Sequence, residues 1–328
     1  MTFRVELYPS GRTFEVAPGE SLLEAGLHAG IALSYGCSGG NCGACRARVL
    51  AGEVIKLRPH DYVFPERERA QGWILMCAYT PQTDLVLAAG VAFQPDEIAE
   101  QSLITRVKDM TPLTDKVRLL HLQTPRSTRL RFLAGQSVML ATEEGVAAEY
   151  PIASCPCDDR NLQFHVRDVA EDAFAARVFH GMKAGDTIHM RGPHGRFVLD
   201  PDSARPVILL ACNSGFAPIK SVAEHAMQLE RAPAIHLYWL ATTPGGHYMA
   251  NRCRAWMDAL DHFRYTQSVA ESLQGPAIQD FLSQISADYP DLTGHDVYLA
   301  GPEPFVSQVR ASLLAAGVMP AHLKSVLA

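Results

Sequence analysis

Cys37-Ser38-Gly39-Gly40-Asn41-Cys42-Gly43-Ala44-Cys45 carries the spacing C-x4-C-x2-C, and a fourth cysteine follows in Trp73-Ile74-Leu75-Met76-Cys77. Four thiolates in this arrangement suit a plant-type [2Fe–2S] cluster, with Cys37, Cys42, Cys45 and Cys77 as metal ligands. Three ligands come from one loop and the fourth from a distant segment, so a cluster here pins two parts of the chain together. Bridging sulfides carry negative charge and need backbone N–H donors close by. Gly39, Gly40 and Gly43 allow the backbone to approach without Cβ clashes. The competing reading is a structural zinc site, but zinc cysteines usually come as two C-x2-C pairs, and Cys77 has no such partner.

Working outward on the N-terminal side, residues 2–8 alternate as a strand, Pro9-Ser10-Gly11 turns, and 12–16 return. Ser21-Leu22-Leu23-Glu24 is a capping box that opens a short helix ending at Gly30. Residues 46–50 and 83–88 supply further strands. The pattern is that of a β-grasp domain, expected over residues 1–95, and the polar, proline-containing Phe93-Gln94-Pro95-Asp96-Glu97 reads as a linker. Residues 101–202 read as many short strands (102–108, 115–123, 136–141, 148–154, 161–168, 186–191) interrupted by one helix near 172–182, the signature of a small antiparallel β-barrel. Residues 206–328 then alternate strand and helix. Val207-Ile208-Leu209-Leu210-Ala211 is the continuous apolar run of a buried parallel strand, and the whole segment predicts a doubly wound α/β domain. The fold class expected is therefore multidomain α+β and α/β.

The totals narrow the function classes. The 328 residues are 48% hydrophobic and 20% charged with a net charge of −6, an ordinary globular balance without the basic excess of a nucleic-acid binder. No apolar run reaches the length of about 18 residues that a membrane span requires. The N-terminus lacks the apolar core of a signal peptide. Cys155, Cys157, Cys212 and Cys253 are left over and are expected to be reduced, in keeping with a cytoplasmic protein. Cys155-Pro156-Cys157 on its own reads as incidental, and the histidines show no metal-binding spacing.

Ferredoxin, barrel and α/β domain in this order resemble the ferredoxin–NAD(P)H reductase superfamily with a fused N-terminal plant-type ferredoxin. The likeness is carried by Glu149-Tyr150-Pro151-Ile152-Ala153-Ser154, similar to the family's flavin motif R-x-Y-S followed by I-A-S. It extends to Gly192-Pro193-His194-Gly195-Arg196-Phe197 at the barrel's end, Ser214-Gly215-Phe216-Ala217-Pro218-Ile219-Lys220-Ser221 and Gly301-Pro302-Glu303-Pro304. Leu237-Tyr238-Trp239 and Val178-Phe179 resemble reductases that serve CDP-6-deoxy-glucoseen-type deoxysugar dehydratases; reductase components of multicomponent oxygenases share the same layout. The resemblance implies an NADH-dependent iron–sulfur flavoprotein reductase, an NAD(P)H-dependent oxidoreductase passing electrons from NADH through FAD and the [2Fe–2S] cluster to a terminal oxygenase or dehydratase. It places FAD against Tyr150, Pro151, Ile152, Ala153 and Ser154, beside His165, Val166 and Arg167, and at the helix start Ala173, Phe174 and Ala175. It places the nicotinamide nucleotide at Ser214, Gly215, Phe216, Ala217, Pro218, Gly301 and Pro302, and catalytic positions at Tyr150, Pro151 and Ala300.

Several positions depart from the family. Ala148 stands where the phosphate-binding arginine is usual, Pro151 where a serine hydroxyl faces the flavin, Ala175 where a hydroxyl residue caps the pyrophosphate, and Ala300 where a cysteine is frequent. Arg167 is a candidate substitute for the missing arginine. No arginine directly follows the second α/β strand at Thr242-Thr243, which favours NADH over NADPH. These substitutions keep open a rival reading, an electron carrier or redox-sensing binding protein on a degenerate reductase scaffold.

Overall fold

The computed structural model describes residues 2–92, 94–200, 202–273 and 275–328, with Met1, Phe93, Pro201 and Gln274 outside the described set. Three sheets, each with its own buried core, follow one another along the chain. The linker reading falls partly on Phe93; beyond it, Pro95–Glu97 form a single 3-10 turn.

The first sheet orders its strands Arg12–Val16, Phe3–Tyr8, Leu85–Ala88, Arg46–Ala51 and Trp73–Leu75. Alternation sends Val5 and Leu7 inward and leaves Arg4 and Glu6 in solvent, the period-2 pattern of a half-buried strand. Helix Leu22–His28 packs Leu22, Leu23 and Ala25 on this sheet. Its capping box forms in full: Glu24 N donates to Ser21 Oγ at 3.2 Å, and Ser21 N donates to the Glu24 carboxylate at 3.1 Å. Leu23 N donates to Met76 O at 3.1 Å and Met76 N to Cys45 O at 3.0 Å, so the helix start holds the Cys77 segment against the cysteine loop. The sequence pattern did not announce helix Glu66–Ala70 or the small ladders pairing 54–56 with 79–81 and 32–33 with 91–92. Two- and three-residue ladders are too short to show a period.

The second sheet is six-stranded and antiparallel, in the order 147–151, 137–142, 187–194, 101–114, 117–123, 161–167. It curls until Ala153 N donates to Gln163 O at 2.7 Å, which stitches the two edges. The strand expected to stop at 108 runs on to Thr114, because bulges between Val107 and Asp109 and between Pro112 and Thr114 absorb the break that Pro112 would impose. Helix Ala173–His180 covers one end.

The third sheet is wholly parallel, ordered 263–269, 235–241, 207–212, 296–301, 323–327. In chain order this is 3-2-1-4-5, the doubly wound arrangement whose ligand crevice lies where strands 1 and 4 part. Every residue of Val207–Cys212 and Asp296–Gly301 is buried, which explains the apolar runs at 207–211 and 297–300. The edge strand Leu323–Leu327 was not expected; its Lys324 and Ser325 interrupt the apolar run, and pairing with Val297–Gly301 is what makes it a strand. No described helix is long and apolar enough to cross a membrane.

One expectation is corrected. Cys155 and Cys157 are not reduced in this structure: their sulfurs are bonded to each other, across a 3-10 turn in which Pro156 fixes the backbone. Cys212 and Cys253 are buried free thiols, pushed up to about 12 by burial and therefore protonated at neutral pH.

Removing the helix cap tests the first domain. Ser21→Ala is expected to cost about 1 kcal/mol, read as a lower thermal midpoint for the cysteine-bearing domain while the α/β domain keeps its own.

Candidate functional site

The cysteine loop folds around its own sulfurs. The amides of Gly39, Asn41 and Cys42 each point at Cys37 Sγ at 3.4 Å, that of Cys37 at Cys42 Sγ at 3.3 Å, and that of Ala44 at Cys42 Sγ at 3.4 Å. Burial opposes the Cys37 thiolate, but these amides outweigh it and bring the thiol down to about 7. Cys45 and Cys77 lie sulfur to sulfur at 3.3 Å, and the shared proton pushes Cys77 up and Cys45 down. The four thiols thus stand as two pairs, 37 with 42 and 45 with 77. Among the described residues no three His, Cys, Asp or Glu side chains gather around a single point as one ion requires. Two pairs of thiols with amide donors around them fit a two-iron cluster. Gly43 has φ +74°, and a Cβ there would sit 2.2 Å from the Tyr62 ring, so the glycine lets a second loop close on the first. That loop, bonded through Tyr62 N to Gly40 O at 3.1 Å, was not read from the sequence.

A cavity of about 480 Å³ opens between the barrel and the α/β sheet. Five of the residues picked from the sequence line it: Tyr150, Pro151, His165, Arg167 and Ser214. Tyr150 packs its ring against Phe174, tilted by 47° with 5.5 Å between centroids, and offers its hydroxyl to Asp172. Burial first, and then the neighbouring carboxylate, push the phenol up, so it stays a donor. Arg167 is exposed in the cavity with no ion-pair partner among the described residues, a cation available to an anionic ligand. An aromatic wall and a free guanidinium fit a flavin nucleotide.

Other expected flavin contacts are placed differently. Ile152, Ala153 and Ser154 stand behind the wall: Ile152 N donates to Gln136 O, Lys220 Nζ to Ala153 O at 2.9 Å, and Ser221 Oγ to Ser154 O at 2.8 Å. Val166 points into the barrel core. At the helix start Ala173 is exposed while Phe174 and Ala175 are buried, and the Ala175 amide is taken by Asp172 Oδ1 at 3.0 Å. A carboxylate therefore occupies the N-terminal turn expected to hold phosphate. Asp172 was missed, although Asp before Ala-Phe-Ala is a readable N-cap. Ser137, Gly135 and Val326 also line the cavity and carried no sequence signal, since they arrive from separate strands and loops, and Glu149 of the quoted flavin-like motif joins them.

On the α/β side, Asn213 takes φ +51°, the left-handed geometry its side chain tolerates, and its Oδ1 accepts from Thr242 N at 2.9 Å. Gly215 is packed so tightly on the end of strand 296–301 that a Cβ would lie 2.2 Å from Ala300 O. Phe216, Ala217 and Pro218 are buried in the first turn of helix Phe216–Leu229, and Phe216 stacks on Trp239 at 3.9 Å. Ala300 and Gly301 are buried, and half-buried Pro302 caps helix Glu303–Ala315. His165 is buried, its Nδ1 3.0 Å from the Tyr248 hydroxyl. Burial, helped by the charges of Lys220 and Arg252, holds its pKa well below the usual range, so the ring is neutral.

Gly215→Ala is expected to push the Ser214 turn off the sheet and to lower NADH-driven reduction by about tenfold to a hundredfold, measured by stopped-flow absorbance with circular dichroism to confirm folding.

Comparison with known proteins accounts for all three parts. Residues 5–82 match the 2Fe-2S iron-sulfur cluster binding domain family, 105–199 the oxidoreductase FAD-binding domain, and 209–311 the oxidoreductase NAD-binding domain. The chain is 29% identical to terephthalate 1,2-dioxygenase, reductase component 2, of Comamonas sp., over 97% of this chain and 95% of that protein. It is 27% identical to the CDP-6-deoxy-L-threo-D-glycero-4-hexulose-3-dehydrase reductase of Yersinia pestis, over 97% and 96%. Among solved structures it resembles the Amycolatopsis reductase GcoB with a TM-score of 0.61 and 26% identity, over 99% of this chain and 98% of that one. With a [2Fe–2S] domain, an FAD-binding domain and an NAD-binding domain in one polypeptide, the chain belongs to the ferredoxin–NAD(P)H reductase superfamily with an N-terminally fused plant-type ferredoxin.

Proposed function

We propose that this reductase takes electrons from NADH and delivers them, one at a time, to a separate oxygenase or dehydratase that docks over the cysteine loop. The single observation that carries the reading is the cavity in which Tyr150, Arg167 and Ser214 meet from two domains. Bound flavin and cluster supply the conversion of a two-electron donor into single electrons. The chain's own part is to position them. Tyr150 and Pro151 form the wall for the flavin ring, and Arg167 takes over the phosphate-binding work of the arginine that Ala148 replaces. The Ser214-Gly215 turn receives the nicotinamide nucleotide against Gly301, and Ala300 keeps its inner face apolar. Cys37, Cys42, Cys45 and Cys77 hold the cluster.

Thr242, which follows the second strand, is engaged by Asn213, and no arginine directly follows that strand in the sequence, which supports NADH over NADPH. Cys42 is exposed, and Val63, one residue beyond the ring that packs on Gly43, is 79% exposed. An apolar contact beside the most accessible ligand suits a protein acceptor. The domains are assigned as 1–95, 101–202 and 206–328, in a cytoplasmic enzyme. The carrier reading draws on Ala148, Pro151 and the Asp172 cap; the cavity's retained aromatic and cationic groups favour turnover.

An anaerobic visible spectrum is expected to show flavin and iron–sulfur bands that both bleach on adding NADH. A cluster spectrum unchanged by NADH after FAD is restored would leave the carrier reading in place. Arg167→Ala is expected to weaken FAD by roughly tenfold to a hundredfold, the loss of one charge-assisted hydrogen-bonding partner, measured by flavin fluorescence on titration.

A further inference from the structure

Residues 153–159 run as one short segment through the meeting point of all three domains. At its start, the Ala153 and Ser154 carbonyls accept from Lys220 Nζ and Ser221 Oγ of the nicotinamide-side helix. At its end, the Asp159 carboxylate accepts from the buried hydroxyl of Tyr35, two residues before Cys37, and Arg129 beside it donates its backbone N–H to Gly36 O at 2.6 Å. Between these anchors, Pro156 and His225 face Leu27, Gly30, Tyr35 and Arg131 across a small cleft, and the Pro156–Asp158 turn packs on helix Leu22–His28. The midpoint of this bridge is the bonded pair Cys155–Cys157.

The two sulfurs differ in a way that suits exchange chemistry. Cys157 is exposed, whereas Cys155 is 5% exposed. Cys155 Sγ accepts the Cys157 amide at 3.3 Å and lies 3.6 Å from His225 Nδ1. An incoming thiolate therefore reaches Cys157, and the sulfur that leaves is already met by two polar groups. Burial pulls His225 down to about 4, so its ring is neutral and places no fixed charge beside the pair. Disulfides in a reducing compartment are typically transient, catalytic or redox-sensing, not structural.

We propose that Cys155 and Cys157 form a reversible thiol–disulfide switch whose closed form fixes the three-domain junction for electron transfer to the cluster, and whose opening partner is a dithiol, small or protein-borne. The inference rests on the reductase reading above. In the opening step a dithiol thiolate attacks Cys157 Sγ, the Cys155–Cys157 bond breaks, and its electron pair leaves on Cys155. The reagent's second thiolate then attacks the mixed disulfide and releases Cys157. Two electrons and two protons pass to the cysteines, and the dithiol becomes a disulfide; a disulfide reagent reverses the sequence. With the crosslink open, the turn between the Lys220 anchor and the Asp159 anchor loses its covalent restraint.

The test uses the holoprotein after treatment with oxidised glutathione or with dithiothreitol, each removed anaerobically. Peptide mass reports the two hydrogens on 155–157, and stopped-flow absorbance follows flavin and cluster separately after NADH is added. Opening is expected to slow the flavin-to-cluster step at least about twofold, within the range of long-range coupling effects, with the NADH-to-flavin step unchanged. Cys157→Ser should stay at the slow rate under both treatments. An equal or faster flavin-to-cluster step in the dithiol form, or a Cys157→Ser protein that still responds, would overturn the switch while leaving the reductase reading intact. If NADH bleaches neither band in either form, the reductase reading itself fails and the switch falls with it.

Discussion

The ammonium of Lys220 is 1% exposed, and its position depends on three acceptors converging from two domains: Ala153 O at 2.9 Å, Gln163 Oε1 at 3.2 Å and Glu224 Oε2 at 2.9 Å. A buried cation without such partners would cost several kcal/mol or lose its proton. Burial does lower the Lys220 pKa, and the adjacent Glu224 opposes the shift. Two of the three acceptors belong to residues 153 and 163, whose backbone bond closes the barrel. Lys220 also sits in the helix that begins at the Gly215 turn. One charge therefore ties the barrel seam to the nucleotide turn, and the cavity between them inherits its shape from that tie.

The same polar seam continues toward the cysteine loop. Ser221 Oγ receives Gly135 N and donates to Ser154 O, and a few residues on Asp159 holds Tyr35. Arg131 adds a bond to Ala32 O of the N-terminal domain. Domain interfaces built from buried hydrogen bonds have few degenerate alternatives, because each slipped register would strand a donor. For a protein that must hold redox groups at fixed separations, this rigidity serves the function more directly than an apolar interface of equal area.

The flavin side of the cavity shows how a departure from the family pattern is absorbed. Where a hydroxyl residue is usual, buried Ala175 has only its amide, and Asp172 satisfies it while also taking the Tyr150 hydroxyl. The Tyr150 ring, on strand Ala147–Pro151, is thereby held by the N-cap of helix Ala173–His180. Arg167 lines the same cavity as this carboxylate and has no ion-pair partner among the described residues.

Local pattern alone determined the architecture of this protein. The four cysteines, the Ser21–Glu24 cap, the alternation at Val5 and Leu7 and the apolar run at 207–211 are each set by neighbours within a turn or a strand, and periodicity reports such choices directly. So was the core of the candidate site legible: Tyr150, Pro151, His165, Arg167 and Ser214 do share one cavity. What the sequence could not show depends on contacts between distant segments. The second face of the cysteine loop comes from Tyr62, the pairing of sulfurs from the meeting of Cys45 with Cys77, and the edge strand 323–327 exists only through its partner. Ala153 and Ser154 read as ligand contacts, but Lys220 and Ser221 claim their carbonyls at an interface. Cys155-Pro156-Cys157, incidental as a string, acquires a place only once three domains converge on it. Hydrogen-bond partners across a domain boundary are chosen by three-dimensional proximity, and that information is not carried by any window of the chain.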